Sequence, residues 1–307
     1  MKSKYYLAGI SAFVIWGLFS IPLKALAAYP AFDILIYRVL FASAVMILIN
    51  LFLRPKITKK NIKVFQALNF KQKFKLIGIN LISAVLLAIN WYLFIYVMNN
   101  ISVNSTSLAY MLCPIITTVL ASVFLKEWLS KIQWLAVILS FGSCIALSIG
   151  HLTEVTYSFV IALSYAVYLV IQKNNHLLGR FFTLTFQVLA GTLMLLPLIQ
   201  TTSEIPEKGG FFFAVVAIIA VIFTIVPMFL NVFSLNGLNS STVGIFIYIN
   251  PVLSFLLAIF YFDEQMNTIQ VIAYSTVFIS VILFNLKVIR NLIPKKKTRK
   301  IASPGKH

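Results

Sequence analysis

Negative charge is nearly missing from this chain. Only seven of its 307 residues are Asp or Glu, and charged residues of every kind make up 10%, where a soluble globular protein carries roughly 25%. With 61% hydrophobic residues and a mean hydropathy of +0.97, no water-soluble fold hides the apolar surface, so the solvent is lipid. Cysteine is scarce too. Cys113 and Cys144 both sit inside apolar runs, which excludes a disulfide framework and reads as two buried thiols. The three histidines, His151, His176 and His307, fall in loops or the tail. With no HExxH, CxxC or Walker loop, no catalytic site, resident metal or cofactor is expected, and the chain does not hydrolyse ATP itself. The alternating ten-residue strands of a membrane barrel are absent as well.

What is present is a series of apolar runs near 20 residues, the length of a membrane-crossing helix. Ten are delimited: 5–23, 34–53, 76–98, 104–125, 132–149, 155–172, 181–200, 211–235, 241–262 and 268–286. Short connections leave no room for a soluble domain. The expected class is an all-α membrane protein of ten transmembrane helices. The start imitates a cleaved signal peptide, with Lys2 and Lys4, an apolar run and Ala25-Leu26-Ala27. Lys24 interrupts that pattern, so the segment is expected to remain in the mature chain.

A net charge of +18 would suggest nucleic acid in a soluble protein. Its placement decides otherwise. With the N-terminus inside, all 25 lysines and arginines except Lys24, Lys208 and Arg38 fall on the inner side. Asp33, Glu154, Glu204, Glu207, Asp263 and Glu264 fall outside, and Glu127 alone inside. This is the positive-inside pattern, with both termini cytoplasmic. The basic stretch 54–75 and the tail PKKKTRK then touch anionic lipid headgroups rather than nucleic acid.

An internal duplication organises the chain. A shift of 137 superposes 107–136 on 244–273: Pro114 meets Pro251, Leu120 meets Leu257, Ala121 meets Ala258, Glu127 meets Glu264, Ile132 meets Ile269, Gln133 meets Gln270 and Ala136 meets Ala273. A shift of 149 brings Trp16 onto Tyr165 and Lys24 onto Lys173. The long basic loop expected at 54–75 absorbs the difference. The expected units are 1–150, 151–293 and a basic tail, 294–307. Five spans per half is an odd number, so two like halves run in opposite directions through the bilayer, the inverted construction common in secondary transporters.

Few residues break the apolar runs, and those few are the candidates for a site. Arg38 is the one cation well inside a span, where its cost at the bilayer centre is at least ~2.5 kcal/mol. It either snorkels, pairs with Asp33 or a neighbouring helix, or binds a carboxylate or phosphate of a substrate. Pro114, Pro251 and Pro227 each remove a helical hydrogen bond and free a carbonyl, which in lipid must be satisfied within protein or by cavity water. Asn90 aligns with Pro227. Paired interruptions point either to packing kinks or to a cavity near the midplane. Trp16, Asn90, Trp91, Tyr110, Tyr248 and Asn250 are candidates for its lining, offering flat faces and polar edges. Gly142, Ala146 and Gly150 lie at four-residue spacing and suit a close helix contact, internal in the favoured reading and a homodimer seam in the other. No span carries a deep carboxylate, so proton coupling has no support.

Several of these stretches resemble the RarD branch of the EamA family, within the drug/metabolite transporter superfamily. They are Trp16-Gly17, Arg38, Asn90-Trp91, Ser107-Leu-Ala-Tyr110 with Pro114, Phe124-Leu-Lys-Glu127, Gln133-Trp-Leu-Ala-Val137 and Tyr248-Ile-Asn-Pro251. The resemblance implies ten short helices in two inverted five-helix repeats around a central cavity. It also implies a permease of the bacterial inner membrane exporting amino acids, metabolites or drugs. Tyr37-Arg38 stands where the family usually has His-Arg, and Cys113-Pro114 where it has Asn-Pro. The expected partners are a small-molecule substrate and membrane lipid. The competing expectations are a flippase for a lipid-linked substrate and a scaffold that transports nothing.

Overall fold

The computed structural model describes residues 3–124, 126, 128–173, 175, 177–201, 206–238, 243 and 246–292, with the backbone alone at 173 and 287–292. Glu127, the side chain of Lys173, the tail 294–307 and part of the ninth expected span lie outside the described residues. Among the described residues there is no strand. The helices are α1 (Ser3–Gly17), α2 (Ser20–Lys24), α3 (Ala31–Leu48), α4 (Pro55–Ala67), α5 (Phe70–Asn100), α6 (Val103–Phe124), α7 (Lys131–Lys173), α8 (Arg180–Leu195), α9 (Gly210–Ala220), α10 (Val226–Ser234), α11 (Ile249–Phe260) and α12 (Thr268–Leu292). Single π-helical turns follow α3 at Ile49–Leu53 and join α9 to α10 at Val221–Ile225.

Eight helical stretches among the described residues are long and apolar enough to cross a membrane, and α11 is a shorter apolar helix of 12 residues. The longest, α7, spans 43 residues but is not one rod. Its backbone leaves helical geometry at Ile149, Gly150 and His151, and Gly150 adopts φ +87°. A residue with a Cβ resists that conformation, so the glycine marks where the first arm, 131–148, gives way to the second, 152–173.

Helices associate in lipid through close packing and interhelical hydrogen bonds, since tails outside are as apolar as side chains inside. Leu7, Phe52, Phe141 and Ile272 accordingly face outward. Inside, α1 packs on α10 and α11, α3 on α8 and α9, α5 on α7 and α8, and α6 on α7 and α11. A second core joins α6, both arms of α7 and α12 through Leu112, Leu147, Ala162, Ala166 and Val277. Ser140 and Ser280 hydrogen-bond across α7 and α12. Gly17 lets α1 lie against α11: a Cβ added there would meet the Leu253 Cβ at 2.7 Å.

The duplicated stretches build the same local structure twice. Lys126 and Asp263, which the 137-residue shift superposes, both take left-handed backbone angles, φ 57° and 51°. Gln133 and Gln270 then close the same reciprocal helix cap. The Gln133 side chain accepts from the Ser130 N–H at 2.9 Å while Ser130 Oγ accepts from the Gln133 N–H at 3.3 Å. Gln270 accepts from the Asn267 N–H at 2.9 Å and Asn267 Oδ1 from the Gln270 N–H at 2.8 Å. Each cap satisfies two backbone donors at a helix start. Glu264 adds a cap across the fold, its carboxylate accepting the N–H groups of Val103 at 2.6 Å and Asn104 at 3.0 Å at the head of α6. A carboxylate at a helix N-terminus also meets the positive end of the dipole.

Three expectations need correction. The basic stretch 54–75 is not a loop: most of it forms α4, with Lys56, Lys59, Lys60 and Lys63 exposed beside Ile57 and Ile62, the build of a helix lying in a bilayer interface. Asp33 pairs with Lys208 at 3.0 Å, not with Arg38. Gly142, Ala146 and Gly150 make no internal seam: all three are exposed, and a Cβ added at Gly142 or Gly150 would meet nothing within 4 Å. The cysteines are free, as read from the sequence.

These backbone angles make a paired prediction. Gly150→Ala will destabilise the purified protein by about 1 kcal/mol, the cost of a side chain in the left-handed region, whereas Gly142→Ala will leave its thermal unfolding midpoint unchanged. Equal midpoints for the two variants would mean that Gly150 tolerates a Cβ.

Candidate functional site

Arg38 sits two turns into α3 and is only 5% exposed. Its partner comes from the π-helical turn before Pro227. The ring of Pro227 cannot accept the normal helical path and has no N–H to give to residue 223. The chain widens into the π turn Val221–Ile225, a local distortion frequent at functional sites. Thr224 is the only polar side chain between Gly210 and Pro227. It donates to the Ile219 carbonyl five residues back, at 3.0 Å, and accepts from Arg38 Nε at 3.2 Å and Nη2 at 3.1 Å. The rings of Phe19 and Trp91 lie against the guanidinium, each 4.9 Å from it to the ring centroid. Such contacts are worth about 2 kcal/mol when desolvated. Nη1 is buried without a hydrogen-bond partner, and no carboxylate among the described residues pairs with this cation.

Aromatic rings extend from this point across the bundle. Phe19 stacks on Phe94 at 5.7 Å, Phe94 meets Tyr110 edge-on at 5.3 Å, and Tyr110 meets Tyr165 at 6.1 Å. Tyr165 stacks on Tyr168, whose hydroxyl donates to Gln187 Oε1 at 3.2 Å. Pro114 lies one turn beyond Tyr110 inside α6, where it leaves the Tyr110 carbonyl without its helical donor. Asn90, fully buried, donates to the Ile161 carbonyl at 2.9 Å and Ser164 Oγ at 3.1 Å, and so ties α5 to the second arm of α7.

The remaining candidates gather elsewhere. Trp16 packs edge-on to Phe13 and joins a cluster with Ile247 and Ile249. Tyr248 precedes α11, while Asn250 and Pro251 lie in its first turn. Asn250 Oδ1 accepts from Ser254 Oγ at 3.3 Å, and the same hydroxyl lies 3.2 Å from the Gly17 carbonyl. The fold therefore brings Arg38, Trp91 and Tyr110 into one aromatic chain with Asn90 beside it, and places Trp16, Asn250 and Pro251 at the α1–α11 crossing.

Sequence reasoning missed Phe19, Thr224 and Gln187. Thr224 had a signal, as a lone hydroxyl three residues before a proline. Gln187 had another, since the 149-residue shift superposes it on Arg38. It is buried in a neutral network: Gln187 Nε2 donates to Asn80 Oδ1 at 2.7 Å and Gln172 Oε1 at 3.2 Å. Asn175 donates to the same two oxygens at 3.0 and 3.1 Å, and Gln172 donates to Ser83 at 2.7 Å. These bonds join α5, the second arm of α7 and α8.

The Arg38–Thr224 contact can be tested alone. Thr224→Val keeps the shape but removes the acceptor, and hydrogen bonds to charged groups are worth about 2 kcal/mol. The variant will unfold at lower temperature by that margin, and Thr224→Ser will behave as the parent. Equal stability of all three would show that Arg38 does not depend on Thr224.

The model of the EamA-like transporter family matches twice, over residues 3–149 and 152–286, on either side of Gly150. A transporter of Vibrio cholerae is 28% identical, with 92% of each chain aligned, and the protein RarD of Escherichia coli is 27% identical over 91% of this chain and 92% of its own. The transporter YojE of Bacillus subtilis is 26% identical over 91% and 92%. One solved crystal structure superposes with a TM-score of 0.61, covering 94% of this chain and 100% of that one at 14% identity, a likeness of fold. The chain belongs to the EamA-like transporter family, with relatives that place it in the RarD branch of the drug/metabolite transporter superfamily.

Proposed function

We propose that this protein is a secondary transporter that moves a small polar or zwitterionic metabolite, an amino acid or a drug by alternating access between two five-span halves of opposite orientation. Arg38 carries the reading. A buried guanidinium without a counter-ion among the described residues is costly in a bilayer. Here it is held by one hydroxyl and two rings with a nitrogen to spare. A carboxylate or phosphate on the substrate completes it, because a guanidinium fork matches both. Tyr110, Trp91 and Asn90 supply flat faces and amide edges alongside, and Tyr248 and Asn250 do so near the α1–α11 crossing.

Ten spans and inverted halves are supported by paired features. The repeated turn at Lys126 and Asp263 and the repeated caps at Gln133 and Gln270 are two. The helix contacts pair as well. α1 lies against α10 and α11, while the second arm of α7 lies against α5 through Asn90 and Tyr96, and against α6 through Ser158. With the lysine-rich side cytoplasmic, both termini lie on the cytoplasmic side of the bacterial inner membrane, and the units are 1–150 and 151–293. With no carboxylate in this lining among the described residues, a proton-coupled carboxylate mechanism has no support, which leaves exchange or facilitated flux.

Two measurements test this. In liposomes loaded with a ligand found by thermal-shift screening, Arg38→Ala and Tyr110→Ala will each lower saturable flux at least about tenfold, a loss of about 1.4 kcal/mol of differential binding. Parental flux in both would remove these residues from the site. In a background lacking Cys113 and Cys144, Ser130→Cys and Asn267→Cys will react with a membrane-impermeant thiol reagent from opposite faces. Labelling from one face would end the inverted reading.

A further inference from the structure

A cavity of about 300 Å³ opens at the lysine-rich end of the molecule, between the end of α3, α4, α8 and α10, apart from the Arg38 cluster. Asn50, Arg54, Arg180, Phe181 and Asn236 are among its lining residues, and none of the lining residues is acidic. Its size reaches the range of small-molecule sites.

Arg54 is positioned by more than chance. The π turn Ile49–Leu53 ends on it, the Arg54 N–H donating to the Ile49 carbonyl at 2.9 Å. Its guanidinium then lies against Phe181 at 5.2 Å and Phe229 at 5.4 Å, measured to the ring centroids. These rings fix the side chain without neutralising it. The walls are braced by Asn50, which donates to Thr185 Oγ1 at 2.8 Å and whose carbonyl accepts from Thr58 at 2.8 Å, and by Asn61 Oδ1, which accepts from the Gly179 N–H at 2.8 Å. Arg180 opens α8 at the mouth, where no side chain caps the helix. The exposed lysines of α4, Lys56, Lys59, Lys60 and Lys63, extend the positive field outward.

We propose that this cavity is a phosphate-binding site, taking either the headgroup phosphate of an anionic lipid or the phosphate of a soluble molecule, with Arg54 and Arg180 as its charged walls. Two guanidiniums around a braced pocket suit the planar, forked recognition of phosphate oxygens. Ring-stacked Arg54 loses little further freedom on binding, which favours affinity.

The test uses the full purified chain in neutral detergent and measures binding, so it stands whether or not the transport reading does. Thermal unfolding is followed with inorganic phosphate against chloride at matched ionic strength, and separately with a short-chain phosphatidylglycerol against its phosphatidylcholine counterpart. The midpoint will rise with ligand concentration, as mass action requires, and Arg54→Gln and Arg180→Gln will each remove at least about half of the rise. Lys59→Gln, which removes a charge outside the cavity, will keep it. A rise with inorganic phosphate assigns a soluble ligand, and a rise with phosphatidylglycerol alone assigns a lipid. No rise with either, or the same rise in all three variants, overturns the proposal. Arg180 is exposed, so its variant folds even where loss of the stacked Arg54 does not permit it.

Discussion

In hydrocarbon every backbone N–H and carbonyl must find its partner within the protein, and the interior of this chain follows from that constraint. A proline inside a span breaks the rule locally. At Pro227 the chain widens into a π turn, in which the Thr224 hydroxyl donates to the Ile219 carbonyl and receives Arg38. The turn beside one rigid ring thus places the acceptor for a cation on the adjoining α3. At Pro114 α6 continues through the proline, the Tyr110 carbonyl losing its helical donor, and Thr117 and Thr118 donate to the carbonyls of Cys113 and Pro114 at 2.7 and 2.9 Å.

The same constraint governs helix ends. Ser130 with Gln133 and Asn267 with Gln270 close their own first turns, whereas α6 borrows the carboxylate of Glu264 from the other end of the chain. Among the described residues, three of the few acids hold elements together: Asp33 pairs with Lys208. Glu264 caps a helix, and Glu154 receives the Ser105 hydroxyl at 3.2 Å beside His151. Each of these three acids thus meets a backbone donor or a neighbouring polar side chain.

Much of the helical plan was legible because its signals are local. Apolar runs marked helices, and the Gln133–Gln270 match marked a repeat that the structure builds as the same cap twice. The prolines were legible as interruptions, but not which remedy each would take, since that depends on the neighbour that arrives in space. Arg38 stood out as a lone charge, but Asp33, five residues away in sequence, and a neighbouring helix were equally open as its partner. The helical twist and Lys208 direct that acid elsewhere. Phe19, one more apolar residue among many, gave no sign that its ring would lie on a guanidinium. The basic stretch 54–75 concealed α4, because a helix with lysines on one side and few apolar residues on the other reads locally as a solvated connection.

The amide cluster of Asn80, Gln172, Asn175 and Gln187 has an electrostatic consequence. Each carboxamide is donor and acceptor at once, so the four groups satisfy one another with no charge buried among them. Where an ion pair would join helices at the cost of desolvating two charges, this patch joins α5, α7 and α8 with neutral groups alone.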